Sequence, residues 1–195
     1  MADLETIALR MNTPLYEYHQ FQGDSQDCGP TSLAIAANSI LGEEHYTKER
    51  ISDDMNAPGF KVWPFPHFVV RRIKNWATFP WGIVNYARSE GFRTRWAPFG
   101  TRRKLQRNLD DDRITLVFVG QPLRFNDGKW DGWAHIKVLY GYTPGKGYVF
   151  VDPGHSTGGG PDSWSSMGLF WQSEDNFLRY WRGLLRIYVE IWRET

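Results

Sequence analysis

The segment from Gln22 to Gly42 constrains the fold of this 195-residue chain more than any other. It contains the sole cysteine of the sequence, Cys28, where a polar loop gives way to an apolar run. Pro30 fits the first turn of a helix, because the amide hydrogen that proline lacks would have no partner within the helix there. From Leu33 onward the residues are apolar and small, and Gly42 favours a left-handed helix end. The segment therefore predicts a helix that begins at or just before Cys28.

The position of Cys28 indicates chemistry. Unpaired backbone amides and the helix dipole favour negative charge at a helix N-terminus, and therefore favour a thiolate. A thiolate is a good nucleophile for acyl transfer. A lone cysteine at a helix start is nevertheless most often a small buried residue. The chemical interpretation therefore depends on partners elsewhere in the chain.

Composition narrows the class of protein. The apolar fraction is 41% and the aromatic fraction 16%, which is typical of a folded globular protein. We expect one domain over residues 1–195, with residues 1–15 as a lead-in. A net charge of +1 argues against nucleic-acid binding, and Arg102–Lys104 is interpreted as the solvated face of a helix. A single cysteine excludes an intramolecular disulfide.

The N-terminus has early acidic residues and no apolar core of a secretory signal. No stretch reaches the apolar length needed to cross a bilayer. The sequence therefore predicts a soluble cytoplasmic protein without a membrane partner, and signal-independent export stays open. It gives no information on oligomeric state.

The first half of the chain is predicted to be mostly helical. After a strand or extended arm over Leu15–Phe21 and the Cys28 helix, further helices are predicted at Thr47–Met55 with Thr47 as cap, Pro64–Trp76 and Ile83–Glu90.

The second half is predicted to be mostly strands. The strands are Phe92–Pro98, Ile114–Val119, His135–Tyr142, Tyr148–Asp152 and Leu184–Trp192. Helices are predicted at Thr101–Leu109 and from Ser173 to Trp181, and loops at Gln121–Ala134 and Pro153–Met167. This order indicates an α+β fold, with an N-terminal helical half packed on a C-terminal antiparallel sheet.

A histidine and an aspartate are predicted to meet across a hairpin. Pro144–Gly147 connects two short strands, so antiparallel pairing joins positions whose numbers add to roughly 290. His135 then faces about Val151 to Gly154. Asp152 is therefore expected near His135, where its carboxylate would hold the imidazole in the useful tautomer.

Gln22 is the candidate donor to a developing oxyanion, together with the Cys28 backbone amide. Gln26 is a rival that lies too near Cys28 along the chain to reach back easily. Asp127 and Asp131 are rivals for the carboxylate role, but both lie in a loop where exposed turn residues are expected. Asp27 is expected to assist the helix start rather than the chemistry. His155 is a candidate rim residue or second base, after His135. The remaining histidines are expected to lack partners and to have surface or packing roles: His19, His45 and His67.

These residues form motifs that resemble a known family. The motifs are Gln22 followed by Asp27-Cys28-Gly-Pro-Thr-Ser-Leu-Ala34, then His135 opening an apolar strand that ends in Gly141-Tyr142, then Val151-Asp152-Pro153. They resemble cysteine peptidase family 39, a papain-like family whose best-known members remove double-glycine leaders from bacteriocins. The resemblance covers roughly residues 16–192 and includes a C-terminal pattern from Glu174 to Gly183.

The resemblance implies a papain-like fold and a bacterial source. The sequence departs from the leader-removing members in having no transporter domain attached, so a stand-alone peptidase domain is expected. The resemblance also implies Cys28 as nucleophile, His135 as general base and acid, Asp152 as orienting carboxylate and Gln22 as oxyanion donor. The expected function is hydrolysis of a peptide or amide bond in a peptide or protein substrate. A transamidating or deamidating enzyme and a catalytically silent peptide-binding module remain alternatives. No cofactor is expected, and no metal site, because no ligand spacing typical of metals occurs.

Overall fold

The computed structural model describes residues 7–61, 67–155 and 169–193. Its α-helices are Cys28–Leu41 (α1), Lys48–Asn56 (α2), Pro80–Ser89 (α3), Arg102–Asp110 (α4) and Glu174–Gly183 (α5). Its strands are Leu9–Arg10 (β1), Gly59–Lys61 (β2), His67–Val69 (β3), Arg72–Ile73 (β4), Ala77–Thr78 (β5), Arg93–Ala97 (β6), Ile114–Asn126 (β7), Lys129–Thr143 (β8), Gly147–Val151 (β9), Leu169–Gln172 (β10) and Tyr188–Trp192 (β11). Helices combined with antiparallel strands confirm the α+β class.

The main sheet has the strand order β10-β9-β8-β7-β11-β6. Its paired strands are antiparallel. β1 pairs with β8 at Gly141 and Tyr142, beyond Leu139, the last β8 residue in the β7 register. The buried apolar residues of the helices and of this sheet form one hydrophobic cluster.

Helix α1 is buried along most of its length, as its apolar sequence predicts. It begins at Cys28 and ends before Gly42, which has φ 73° and the left-handed conformation that glycine adopts without strain. Asn38, fully buried, accepts a hydrogen bond from the Tyr46 amide over 2.7 Å and donates to the Tyr46 carbonyl over 2.9 Å. These bonds fix the direction in which the chain leaves α1.

A buried serine joins α1 to strand β8. The hydroxyl of Ser32, which is fully buried, donates to the backbone carbonyl of Ile136 over 3.1 Å. Ser32 lies one helical turn after Cys28, and Ile136 directly follows His135. This contact therefore sets the start of the helix against the strand that carries the histidine.

An ion pair joins α1 to two neighbouring elements. Arg72 in β4 binds the carboxylate of Asp27 over 2.6 Å and the hydroxyl of Ser52 in α2 over 2.5 Å. Asp27 occupies the N-cap position of α1 but makes no side-chain cap hydrogen bond.

Helix α1 also packs closely against β5 at Gly29. A Cβ on Gly29 would lie 2.5 Å from the side chain of Thr78. Glycine is therefore required at this point of α1.

The predicted helix Pro64–Trp76 is wrong wherever the structure describes it. Residues 64–66 lie outside the described residues, and His67–Val69 is a strand paired with β2. The remainder forms the β4–β5 hairpin, in which Asn75 has φ 58°. Aromatic and β-branched residues favour strands in this segment, and asparagine tolerates the left-handed conformation of a tight turn.

The predicted loop Gln121–Ala134 is also wrong, because this segment is the extension of the β7–β8 hairpin. Asn126 pairs with Lys129, and the two residues between them, Asp127 and Gly128, have φ 49° and 76°. An Asp-Gly pair with positive φ is the preferred two-residue hairpin turn. The β7–β8 hairpin therefore extends from the Val119–His135 pair to a turn at Asp127-Gly128.

Within the described residues, the other predicted elements agree with the structure to within a few residues, apart from one N-terminal and one C-terminal difference. The predicted loop Pro153–Met167 lies outside the described residues from residue 156 onward. Residues Leu15–Tyr18 form a 3₁₀ helix in place of a strand. Strand β11 begins at Tyr188 because Leu185 and Arg186, predicted to lie in the strand, have φ 54° and 55°. The hydroxyls of the predicted caps Thr47 and Ser173 accept hydrogen bonds from backbone amides, and so does the hydroxyl of Thr101, which was not predicted as a cap. Strands β1 and β10 were not predicted.

The predicted register of the β8–β9 hairpin is confirmed. Tyr142 pairs with Tyr148, and Val138 pairs with Val151. The register shifts by one residue between Leu139 and Gly141. Asp152 directly follows the last residue of β9, at the end of the hairpin that lies beside His135.

Candidate active site

The hairpin brings His135 and Asp152 into direct contact. Nε2 of His135 lies 2.6 Å from Oδ1 of Asp152. The backbone amide of Gly154 donates to the same oxygen over 2.8 Å. The juxtaposition predicted from strand spacing is thus observed, and the contact is a short, charge-assisted hydrogen bond.

Asp152 is fully buried yet surrounded by positive groups. Burial raises the pKa of its carboxyl, but hydrogen bonds with His135 and His155 and the nearby charges of His135 and Lys137 outweigh burial and hold that pKa well below its usual range. Nζ of Lys137 lies 2.9 Å from Oδ2. Asp152 is therefore an anion throughout the neutral range.

His135 retains its proton at neutral pH. Burial lowers the pKa of its imidazole, but hydrogen bonds with Asp152 and Cys28, together with their negative charge, raise that pKa to about 9. Nε2 is used by Asp152, so Nδ1 is the ring nitrogen left for the Cys28 thiol. The side chain of His135 is 18% exposed, which leaves room for a substrate to reach it.

Cys28 is the first residue of α1 and is partly exposed. The amides of the first helical turn have no carbonyl partners within the helix. The thiol contributes to the raised pKa of His135, so the start of α1 lies close to the β8–β9 hairpin. The structure therefore brings the thiol of Cys28 near an imidazole that is hydrogen-bonded to Asp152.

Gln22 lies in a loop that is tied to the turn after β9. Its backbone amide donates to the Pro153 carbonyl over 2.8 Å. Its side-chain Nε2 donates to the Ser25 carbonyl over 3.1 Å, and its Oε1 is buried without a hydrogen-bond partner. Nε2 carries two hydrogens, so the bond to Ser25 leaves a second N–H. The oxyanion role of Gln22 stays a prediction.

The rival carboxylates lie elsewhere. Asp127 is in the turn of the β7–β8 hairpin, and Asp131 is exposed on the same hairpin. Asp27 pairs with Arg72 at the start of α1. Gln26, the rival donor, is exposed.

The remaining histidines correct one prediction. His19 and His45 were expected to lack partners, but Nε2 of His19 lies 3.0 Å from the Asp152 backbone carbonyl, and His45 contacts Arg50 over 3.3 Å. His155 stacks on Phe170, and its Nδ1 lies 3.6 Å from Oδ2 of Asp152.

Sequence reasoning missed Lys137 and His19 as neighbours of the site. A signal existed for Lys137, because residues two apart in a strand share a face and a lysine interrupts the apolar run after His135. Nothing comparable marked His19, whose contact with Asp152 joins residues 133 positions apart.

Two further classes of feature are missing from the described part of the chain. There, no group of three or more His, Cys, Asp or Glu side chains is arranged to hold a metal ion. Within the same residues, no helix combines the length and apolarity that a membrane span requires.

Comparison with known proteins gives matches of structure only. No family model matches the sequence, and no curated protein matches it significantly. Among solved structures, the peptidase domain of Streptococcus ComA, a bifunctional ABC transporter involved in a quorum-sensing pathway, is 20% identical, with a TM-score of 0.57. The match covers 91% of this chain and 99% of that one.

A second match is to a Bacillus anthracis protein described as a C39-like peptidase. It is 12% identical, with a TM-score of 0.64, and the match covers 96% of this chain and 98% of that one. At such identities the likeness is one of fold. Over nearly its whole length, the chain has the fold of C39-type peptidase domains, as its motifs predicted.

Proposed function

We propose that the protein is a cysteine hydrolase that cleaves a peptide or other amide bond through an acyl-enzyme. The observation that carries this proposal is the position of His135, in contact with Asp152 on one side and with Cys28 at a helix start on the other. A thiol, a base and a group that orients the base are the parts that nucleophilic acyl transfer requires. The C39-type fold is consistent with this activity.

The first step is attack by the Cys28 thiolate on the substrate carbonyl carbon. A C–S bond forms, and the carbonyl π electrons move to oxygen. The backbone amide of Cys28 and the second Nε2 hydrogen of Gln22 are the donors proposed to stabilise this oxyanion. Such donors act most strongly where water is excluded.

The second step is loss of the leaving amine. The imidazolium of His135 transfers its Nδ1 proton to the amine nitrogen as the C–N bond breaks, which leaves the acyl group on sulfur. The neutral imidazole then takes a proton from water while the hydroxide oxygen bonds to the acyl carbon. Loss of the thiolate restores the resting ion pair. Asp152 holds the ring orientation throughout.

The proposed mechanism requires a thiolate–imidazolium pair, and such a pair predicts rapid alkylation of Cys28. At pH 6 an ordinary thiol is under about 1% ionised, so a thiolate paired with His135 should react with iodoacetamide at least ~10-fold faster than the same residue in the urea-unfolded chain. Mass spectrometry of the alkylated protein measures both rates. Equal rates in folded and unfolded chains would contradict the ion pair and the proposed mechanism with it.

Turnover should also depend on pH. The step that protonates the leaving amine needs the imidazolium form, and the pKa of His135 is about 9, so the rate of peptide cleavage should fall above that pH. A library of peptides, analysed by mass spectrometry, would report cleavage, deamidation or transamidation as different mass changes. Cys28→Ala is the control. Peptide binding without any conversion by the unmodified protein would instead indicate a silent binding module.

A further inference from the structure

Lys137 is a buried lysine beside the candidate site. It lies two residues after His135 in β8 and is only 6% exposed, within a run of apolar residues that are buried on both sides of it. Lysine is rarely buried unless its charge is compensated. The groups that compensate the charge of Lys137 therefore indicate its role.

The ammonium group of Lys137 binds the same carboxylate that holds His135. Nζ lies 2.9 Å from Oδ2 of Asp152, whereas His135 and the Gly154 amide take Oδ1. Nζ also lies 4.3 Å from the ring centroid of Phe170, on β10. Each carboxylate oxygen of the fully buried Asp152 therefore contacts a different basic side chain.

The contact of Lys137 with Asp152 bears on the proton affinity of His135, because both side chains interact with the same carboxylate. A carboxylate that faced the imidazolium alone would stabilise it fully, and a second cation close by weakens that stabilisation. The other titratable groups that face the cluster are Cys28 from α1, His155, with Nδ1 3.6 Å from Oδ2, and His19, at the Asp152 carbonyl. Lys137 has the closest charge to Oδ2 among these contacts.

We propose that Lys137 is a positioning residue that shares the charge of Asp152 with His135, so that the imidazolium stays aligned yet can still release its proton to a leaving group. This inference rests on the proposed function for its purpose, but its physical content is the proton affinity of His135. It assigns Lys137 a role that is separate from the fold, since a buried apolar side chain would fill the same space.

The test is an NMR titration of the His135 ring nitrogens in the full chain. His135 is assigned among the five histidines with His135→Gln. Lys137→Met removes the charge and keeps the length of the side chain, and Lys137→Arg restores the charge. Lys104→Met is the matched control, because Lys104 pairs with another buried carboxylate, Glu190, over 2.8 Å.

The expected midpoint is near pH 9 in the unmodified protein and about one pH unit higher in Lys137→Met. Lys137→Arg and Lys104→Met should keep the original midpoint. An unchanged or lower midpoint in Lys137→Met overturns the proposal. A structural role alone would lower stability without moving this midpoint upward.

A measurement on the unmodified protein covers the case in which Lys137→Met does not fold. The Nζ resonance of Lys137 should shift as His135 loses its proton near pH 9. A resonance that stays unchanged through this transition overturns the proposal. Neither readout needs a substrate. If the midpoint moves as expected but Cys28 alkylates no faster in the folded chain, the proposed function fails while the charge sharing stands.

Discussion

Gly154 leaves the space that the His135–Asp152 contact needs. A Cβ at this position would lie 3.1 Å from Cε1 of His135 and 3.2 Å from Oδ1 of Asp152. Both distances are tighter than ordinary van der Waals contacts, so the imidazole or the turn would move by a few tenths of an ångström. A charge-assisted hydrogen bond depends steeply on such shifts.

Gly154→Ala should therefore reduce the alkylation rate of Cys28 at pH 6 by about 3- to 10-fold with little loss of stability. Gly145→Ala is the contrasting control, because Gly145 faces open space in the β8–β9 turn but has φ 75°. That variant should lose about 1 kcal/mol of stability and keep the alkylation rate. Iodoacetamide kinetics and urea unfolding measure the two effects. A Gly154→Ala protein with unchanged kinetics would show that the imidazole has more room than the structure indicates.

At this scale the sequence identified the residues whose chemistry is unusual for their position. Cys28 stood at a helix start, and His135 and Asp152 were related by the arithmetic of one hairpin. Lys137 was missed although it shares a strand face with His135, whereas His19 has a contact with Asp152 that only the folded chain creates. The bond of the Gln22 side chain to Ser25 was equally beyond prediction, since it depends on a rotamer.

At the scale of elements, α1 and β8 must hold a fixed relation for the thiol to reach the imidazole. A direct polar link between them is the bond from the Ser32 hydroxyl to the Ile136 carbonyl. Ser32 lies one helical turn after Cys28, and Ile136 directly follows His135. Loss of this hydrogen bond is therefore expected to shift the thiol relative to the imidazole.

Ser32→Ala should reduce the free energy of unfolding by about 1 kcal/mol, because a buried hydrogen bond is lost. It should also slow alkylation of Cys28 by about 2- to 5-fold. Ser39→Ala is the matched control, since Ser39 is a buried serine of the same helix that bonds to the Ile35 carbonyl of its own helix over 2.7 Å. Urea unfolding and iodoacetamide kinetics are the measurements. Equal alkylation rates in the two variants would deny Ser32 a part in alignment.

The elements that the sequence failed to predict share a physical reason. In Gln121–Ala134 the polar composition suggested a loop, although Asp127-Gly128 is a hairpin turn signal. Most of the described side chains of this extension are exposed, so the segment has little of the apolar alternation that reveals a half-buried strand. Pairing with a neighbour also decides short strands such as β1 and β10, and local sequence does not contain that information.

At the scale of the whole molecule, Arg72 connects parts of the helical half that are distant in sequence. Its side chain is 1% exposed and joins Asp27, before α1, to Ser52 in α2 from strand β4. A buried charge that loses its partner is far more costly than the intact pair is stabilising.

Arg72→Met should lower the free energy of unfolding by about 3 kcal/mol, since Asp27 would lose its partner. Arg71→Met, at the neighbouring position, is the control. Its guanidinium donates to Asn85 over 2.7 Å and is more exposed, so a loss of less than about 1 kcal/mol is expected. Urea unfolding monitored by tryptophan fluorescence gives both values. Similar losses in the two variants would contradict a special role for the Asp27–Arg72 pair.

Cavity volume alone would have directed attention elsewhere on this molecule. A cavity of about 730 Å³ lies between β3 and α3, lined by Phe68, Trp81 and Trp96 among others. Cys28, His135 and Asp152 do not line it. The groups of the candidate site are instead related by charge and hydrogen bonding, which are properties of their chemistry rather than of the shape of the surface.

The links from His19 and Gln22 to the turn after β9 have a consequence for the order of folding. His19 contacts the Asp152 carbonyl across 133 positions of sequence, and Gln22 is bonded to Pro153. Contacts with such large sequence separation form only after the entropy of closing the intervening chain has been lost. We therefore expect helices and hairpins to form first, and the groups of the candidate site to become aligned only late in folding.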